Sequence, residues 1–410
     1  MIKFRDYQLE IITQGLGIIQ KYRFLYLAME VRTGKTLTAL GICNNLNIKK
    51  VLFITKKKAI SSIEKDYINY DPNFECTIIN YESLHKVPQK GWDVVICDEA
   101  HSMGAFPKPN GRAKKVKEVV FWNNPYVILL SGTPTPEAYS QMYHQVYFIP
   151  NNPFREFRNF YRFAGYYVSV VKKKIGGLFI NDYSKGNINI IQTMRPYTIS
   201  FSQKEAGFVV HTNEHILEVE MKSSTTDLIR QLKKDLVIEG NEEVILADTA
   251  AKLMIKTHQL CSGTIKFESG NSMVLDYSKA QFIKQKFKGK KIAIFYKFKE
   301  ELNALQEIFN DSLCVDLEEF NNTSKHIALQ IVSGREGISL KEADALVYYN
   351  IDFSATSYWQ SRDRMTTKTR LKNEVYWIFS KKGIEKDIYK AVIKKKDYTL
   401  RHFKRDLLNL

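Results

Sequence analysis

Short apolar runs, separated by polar stretches of helix length, recur along the first third of the chain. They are Phe24–Met29, Val51–Ile54, Thr77–Asn80, Val94–Cys97 and Tyr126–Leu130. Runs this short, β-branched and nearly continuous in apolar character predict strands of a parallel sheet covered by helices on both faces. A helix of mixed polarity is expected before them, beginning near Asp6. A second series of the same kind begins near Ser278, with runs at Lys291–Phe295, Leu313–Val315, Ile327–Val332, Ala345–Tyr349 and Val375–Phe379. The pattern predicts an α/β chain of two parallel-sheet lobes, residues 1–150 and 276–410, the second ending in a basic C-terminal helix. Residues 151–275 read as basic and helical insertions and a linker. Helical periods cover Leu228–Leu236 and Ala251–Cys261, the latter ended by Ser262-Gly263. Lys172-Lys173-Lys174 with Gly176-Gly177 reads as a hairpin or loop.

In open α/β sheets, ligands meet the chain just past the carboxyl ends of the strands. After Phe24–Met29 comes Glu30-Val31-Arg32-Thr33-Gly34-Lys35-Thr36, followed by an apolar helical stretch. Strand, tight loop, Gly-Lys-Thr and helix are the layout of a phosphate-binding loop. Backbone N–H groups and the positive helix end meet the phosphates, Lys35 adds charge for the β- and γ-phosphates, and the Thr36 hydroxyl can ligate Mg²⁺. Met29 stands where that motif has its first Gly, and Gly-Lys-Thr alone also fits a surface turn. Asp98-Glu99, after Val94–Cys97, is the second signal. Asp98 can hold Mg²⁺, and Glu99 can position and deprotonate the attacking water. Acids also favour a helix N-terminus through its dipole, but the pairing with a phosphate loop upstream favours the metal reading. Phe4-Arg5-Asp6-Tyr7-Gln8 sets a ring beside an amide that could bind adenine, or it simply opens an amphipathic helix. The second lobe has no Gly-Lys-Thr and no Asp-Glu after a strand. Two such lobes with one nucleotide site imply a site in the cleft between them. Gln360-Ser361-Arg362-Asp363-Arg364 is the second lobe's candidate contribution, an Arg aimed at the γ-phosphate; the string also reads as helix-surface charge. Gly334 and Gly337 permit a tight turn facing the cleft, or form an ordinary βα loop.

Charge changes the picture of the partner. The chain has 61 Lys+Arg against 44 Asp+Glu, a formal net charge of +17. That excess points to a polyanion, although a Lys-rich solubility surface would also produce it. Lys172, Lys173 and Lys174 are candidate nucleic-acid contacts. The alternating aromatic and basic run Phe154–Phe163 reads as a core helix with its Arg residues in water, and the basic stretch from Lys394 to Arg405 as either a nucleic-acid contact or a solvated helix. The five cysteines are scattered without a C-x-x-C or Cys/His cluster, which excludes an evident zinc module and points to buried thiols in a reducing compartment. No run approaches the ~18 apolar residues of a membrane-spanning helix, and the N-terminus has no apolar core of signal-peptide length. The expectation is a soluble, cytoplasmic protein without a membrane partner.

Taken in order, these segments resemble superfamily 2 helicase-like ATPases, and within them the compact Swi2/Snf2-like DNA translocases of bacteriophages and mobile elements. Phe4–Gln8 resembles the adenine-recognition motif, with Gln8 as reader, and Glu30–Thr36 resembles motif I, which in this family often lacks the first Gly. Asn80-Tyr81-Glu82-Ser83-Leu84 is similar to the T-T-Y-E-x-L element beside DNA. Asp98-Glu99-Ala100-His101 is similar to motif II, and Ser131-Gly132-Thr133-Pro134 to the L-T-G-T-P form of motif III rather than the S-A-T form of RNA helicases. Lys256–Cys261 resembles L-R-Q-x-C-x-H, Phe295-Tyr296-Lys297-Phe298 motif IV, and Ser333–Leu340 motif V. Asp352-Phe353-Ser354 with Gln360 and Arg364 resembles motif VI, but Thr367 stands where the family usually has a second Arg, and neither Lys368 nor Arg370 is in register.

The resemblance implies two RecA-like lobes and an ATP- and Mg²⁺-dependent motor on duplex or branched DNA. It implies nucleotide contacts at Arg5, Gln8, Arg32, Thr33, Gly34, Lys35, Thr36 and Gly337, with Thr36 and Asp98 on the metal. Glu99 would activate water, Gln360 would sense the γ-phosphate and Arg364 would complete the site on closure. Lys56, Tyr81, Thr133 and Ser333 would join Lys172–Lys174 on the nucleic acid. Two other readings stay open. One is a strand-separating or branch-migrating helicase whose wedge is formed by residues 165–190. The other is a DNA-binding clamp or complex subunit with weak or no ATPase. A protein partner, unidentified, would supply any targeting.

Overall fold

The structure, a computed structural model, describes residues 3–175, 178–208, 211–240, 242–334, 338–367 and 370–394. It forms two compact units, Met1–Phe208 and Val209–Lys394. Each is built on a six-stranded sheet. In the first, the strands run in the order Glu75–Asn80, Lys50–Thr55, Val94–Cys97, Tyr126–Leu130, Phe24–Met29 and Thr198–Phe201. Every neighbouring pair is parallel. The second sheet runs Leu313–Cys314, His326–Gln330, Ile292–Tyr296, Ala345–Tyr348, Lys372–Ser380 and His211–Val219, again all parallel.

Burial of both sheet faces explains why the central strands read as continuous apolar runs. Successive side chains point to opposite faces. Phe24, Tyr26 and Ala28 enter one core of the first unit together with Leu52, Ile54, Val95, Cys97, Val127 and Leu129. Leu25, Leu27 and Met29 enter the other with Val51, Phe53, Val94, Ile96, Ile128 and Leu130. The second unit repeats this, with Phe295, Tyr348 and Trp377 on one face and Ile294, Val347 and Ile378 on the other.

The segment expected to be an insertion, 151–275, instead supplies an edge strand to each sheet. Thr198–Phe201 pairs with Phe24–Met29, which carries the first unit past residue 150 to Phe208. His211–Val219 pairs along its whole length with Lys372–Ser380, so the second unit starts well before 276. An edge strand buries less of each face, and His-Thr-Asn-Glu-His-Ile-Leu-Glu-Val is too polar to stand out as a strand. The remainder of 211–275 is the two expected helices, Ser223–Asp235 and Ala250–Cys261, with two short antiparallel ribbons. Phe154, Phe160 and Phe163 are buried in the first unit's core as expected, but the helix is Phe160–Tyr167, and Phe154 lies in the turns before it. Val171–Ile175 and Leu178–Asp182 form an antiparallel ribbon over the expected hairpin. Helix Glu385–Lys394 closes the described chain; the basic stretch from 395 onward, Lys368 and Gly337 lie outside the described residues. No helix among the described residues is long and apolar enough to cross a membrane, and all five cysteines are free thiols, four of them buried.

The second unit buries several polar groups that pair with one another. Lys279 Nζ lies 2.8 Å from Glu385 Oε1 with both side chains fully buried. Burial alone would raise the Glu385 carboxyl, but the Lys279 ammonium outweighs it and holds the group below the usual carboxylate range. Glu214, on the edge strand, accepts hydrogen bonds from the Tyr358 and Tyr389 hydroxyls and from Trp377 Nε1, and pairs with Arg362 at 2.7 Å. His258 Nε2 meets Asn350 Oδ1, and Asn350 Nδ2 donates to Glu301 Oε1 at 2.6 Å.

Two stability measurements follow. Removing one member of a buried ion pair strands the other, at about 3–5 kcal/mol, whereas removing both leaves only a packing change. Urea unfolding of Lys279→Met should lose about that much, and Lys279→Met/Glu385→Leu should recover most of it. Burial lowers the His258 pKa to about 4, so the fold keeps the ring neutral. The unfolded chain takes up that proton near pH 6.5, so the stability it contributes is present above about 6.5 and is lost as pH falls toward 4. The stability gap between wild type and His258→Phe should therefore narrow by about 3 kcal/mol between pH 7 and pH 4; a gap independent of pH would contradict the assignment.

Candidate nucleotide site

Strand Phe24–Met29 ends in a turn, and helix Lys35–Asn44 begins at Lys35. The turn places Arg32 at φ 66° and Gly34 at φ 79°. A side chain at Gly34 would be strained, and it would also collide with the Gln8 amide. Gln8 is itself buried. Its Oε1 accepts from Arg5 N at 3.0 Å, and its Nε2 donates to Gly34 O at 3.3 Å. Tyr7 donates to Thr33 O at 3.1 Å and stacks on Phe201 at 4.7 Å. Thr33 turns inward and its hydroxyl donates to Glu30 O at 2.7 Å, so it braces the loop. From the edge strand's end, Gln203 N donates to Glu30 Oε2 and Gln203 Nε2 to Val31 O, at 2.7 and 2.9 Å. Arg5, exposed, donates to the Tyr7 hydroxyl. Arg32, Gly34, Lys35 and Thr36 are left on the half-buried rim of the loop.

Asp98 and Glu99 follow strand Val94–Cys97 and are 7% and 9% exposed. Lys35 Nζ reaches Glu99 Oε1 at 3.3 Å and Asp98 Oδ1 at 4.0 Å, so the loop lysine and both carboxylates form one cluster. Burial would raise Glu99, but Lys35, His101 and Lys56 outweigh it and hold the carboxyl well below its ordinary range. Burial, with Glu99 next to it, pushes Asp98 up against the pull of Lys35 and a 2.9 Å hydrogen bond from Thr55. Asp98 Oδ1 accepts no hydrogen bond. An unsatisfied, buried anionic oxygen fits a divalent cation, and Thr36, next to Lys35, is the second protein ligand available. Among the described residues no group of three His, Cys, Asp or Glu side chains could hold a metal, so such an ion would take its other ligands from phosphate and water.

Motifs from three strand ends lock onto this cluster. His101 Nδ1 lies 3.3 Å from Glu99 Oε2 and 3.0 Å from Ser131 Oγ, and Ser131 Oγ accepts from Thr133 N. The half-buried Thr133 keeps an unpartnered hydroxyl. Tyr81, expected on nucleic acid, is wholly buried; its hydroxyl donates to Asp98 O at 2.6 Å and braces the carboxylates from behind. Its neighbours face a cleft of about 450 Å³ lined by Glu82, Ser102, Asn110, Arg112 and Lys115. Arg112 pairs with Glu82 at 2.6 Å and lies over the Tyr81 ring, and Lys115 donates to Glu82 O. Lys56, also expected on nucleic acid, is half-buried and acts electrostatically on Glu99. Sequence reasoning missed Gln203, Arg112 and Lys115. Gln203 lies far along the chain from the loop it holds, and the two cations carry no motif; their spacing of three on helix Gly111–Asn123 was the available signal.

In the second unit, Gln360 lies on helix Ala355–Arg362 and Arg364 in the turn after it. Arg364 is buried and donates to Ile338 O at 3.3 Å. Arg362 is held by Glu214, and Arg370 is spent on backbone carbonyls of Lys341, Ala343 and Lys372. Ser333 falls in the helical turn Ile331–Gly334. Lys172 is exposed on its ribbon, with Lys173 and Lys174 beside it in the chain.

The chain matches the SNF2-related domain over residues 49–264 and the Type III restriction enzyme, res subunit, over residues 1–83. The CHD3-type chromatin-remodeling factor CHR7 of Arabidopsis thaliana is 20% identical over 442 residues, covering 88% of this chain and 34% of that protein. The chain therefore spans about a third of that relative's length. A solved structure titled Sulfolobus solfataricus SWI2/SNF2 ATPase core in complex with dsDNA is 14% identical, with a TM-score of 0.43 over 99% of this chain and 94% of that one. The SNF2-related match takes in more than half of the chain, and the protein belongs to that family, the Snf2-like ATPases of superfamily 2.

Proposed function

We propose that the protein is a DNA-dependent ATPase that uses ATP hydrolysis to move along duplex or branched DNA. The observation that carries the ATPase half is the cluster of Lys35, Asp98 and Glu99, with one Asp98 oxygen left unsatisfied. A loop amine already paired with two carboxylates can exchange them for phosphate oxygens without crossing open water. Thr36 and Asp98 would hold Mg²⁺, which when bound neutralises charge on the phosphates. Glu99, kept ionised by Lys35, His101 and Lys56, orients the attacking water and accepts its proton. Gln8 and Tyr7 keep the loop in shape and leave the adenine edge to be met at the Arg5 end of the same helix. Gln360 and Arg364 are the second unit's candidates for the transferred phosphate.

The DNA half rests on the family and on the charge. The net charge of +17, the Arg112–Lys115 cleft and the exposed Lys172 favour contacts to phosphates, which are independent of sequence and weaken steeply with salt. The Tyr81 hydroxyl on the Asp98 carbonyl gives that cleft a direct mechanical route to the metal ligand. A CHD3-type relative is named for chromatin remodelling, which favours duplex DNA over RNA.

The test is steady-state ATP hydrolysis with no nucleic acid, single-stranded DNA, duplex DNA and RNA. Duplex DNA should stimulate the wild type, Lys35→Ala should give the blank, and Glu99→Gln should fall by about a hundred-fold or more, the usual contribution of a general base. Undiminished turnover in Glu99→Gln would contradict the mechanism. Tight DNA binding with a blank-level rate in every condition would replace it with a clamp.

A further inference from the structure

The ribbon Val171–Asp182 takes no part in either sheet; its two strands pair only with each other among the described residues. An isolated two-stranded ribbon is marginally stable in water. This one is held at its root. Val168 bridges Gly186, Ser169 N donates to Lys185 O, and Asn187 N donates to Tyr167 O. Tyr183 packs on Phe160 at 5.3 Å, and Ser140 Oγ donates to Tyr183 O at 2.5 Å. Gly186 lies so close to Ser140 that a Cβ there would stand 2.8 Å from the Ser140 backbone N. Away from the root the ribbon exposes what a soluble fold ordinarily covers: Phe179 is 71% exposed and Ile180 50%. Tyr166, on the helix leading in, is 73% exposed. The register sets Lys172 opposite Asn181, Lys173 opposite Ile180 and Lys174 opposite Phe179. The two strands carry three lysines and a single carboxylate, Asp182, which the register sets opposite Val171.

Rings exposed among cations fit an unpaired strand, whose bases stack and whose phosphates pair with Lys. A blunt duplex keeps its bases covered and would use only the lysines. We propose that the ribbon is a pin that engages unpaired bases where a duplex opens, so that the branched member of the substrate class is the one this protein recognises. The inference rests on the DNA-dependent motor reading above. The root also has a defined link to the nucleotide site. Ser140 belongs to the segment after Ser131, the hydroxyl bonded to His101. Within that segment Gln141 Oε1 accepts from Glu137 N and Ala138 N, and Gln145 Nε2 donates to Pro134 O while its Oε1 accepts from Tyr26. The ribbon is thus anchored on the segment that follows Ser131, whose hydroxyl meets His101 beside the carboxylates.

The experiment compares full-chain wild type, Phe179→Ala and Lys172→Ala in equilibrium binding to a forked duplex, a single strand and a blunt duplex of equal length, with anionic lipid vesicles as a fourth arm. Phe179 is exposed, so Phe179→Ala should leave the thermal midpoint unchanged. Phe179→Ala should weaken fork and single-strand binding by about ten-fold, the loss of one base stack, and leave the blunt duplex unaffected. Lys172→Ala should weaken all three DNAs slightly and reduce the salt dependence. For Phe179→Ala, equal loss on blunt duplex and fork, no loss on either, or a loss of vesicle binding in preference to DNA binding would overturn the pin. A wild type that binds no DNA at all would instead overturn the motor reading on which it rests.

Discussion

Two adjacent carboxylates end a buried strand, and their compensation organises the first unit. Asp98 and Glu99 cannot both stay ionised in so enclosed a place unless cations are built in around them. Lys35 comes from the loop after one strand, Lys56 from the segment after another, and His101 from the turn that follows the carboxylates themselves. The three do not compensate equally. Glu99 receives most of the positive field and is stabilised as an anion, whereas Asp98 retains an oxygen with no hydrogen bond. Under the proposed mechanism, that asymmetry would make one of two neighbouring acids the base and the other the metal ligand without any difference in their covalent chemistry.

The loop that carries Lys35 is held from outside the motif. Gln8 and Tyr7 reach it from the preceding helix, and Gln203 from beyond the sheet's last strand. Tyr81 and Ser131 do the same for the carboxylates. Residues that a motif comparison assigns to ligands therefore split into two sets. Arg32, Gly34, Lys35 and Thr36 remain on the loop's rim, while Gln8, Thr33 and Tyr81 spend their polar atoms inside the protein and act by positioning. In the second unit Glu214 has a comparable role. It gathers Tyr358, Arg362, Trp377 and Tyr389, and so fixes the helix that carries Gln360.

The legible part of this arrangement follows from burial. Central strands buried on both faces must be apolar throughout, so all eight of them stand out from the sequence, as do two of the four edge strands, and the residues just beyond them mark the candidate phosphate loop and the carboxylates. The two unread strands, Thr198–Phe201 and His211–Val219, lie at sheet edges, where one side needs no partner and polar residues are tolerated. Glu214 was hidden for the same reason. An acid in a half-buried strand looks like an ordinary solvent-facing position until the four donors that converge on it, all from 140 or more residues away, are seen. Arg112 and Lys115 escaped assignment, and Lys56, expected on nucleic acid, instead acts on Glu99, because a cation's role depends on which anion it faces, and that is a property of the fold.

In the proposed mechanism the Asp98 oxygen without a hydrogen bond and the Lys35 amine together form the metal–nucleotide site. Equilibrium binding of a non-hydrolysable ATP analogue, with and without Mg²⁺, in wild type and Asp98→Asn, tests it most directly. Mg²⁺ should tighten binding in the wild type, and Asp98→Asn should abolish that gain while metal-free binding persists. Nucleotide binding that is indifferent to Mg²⁺, or a gain that survives Asp98→Asn, would contradict it.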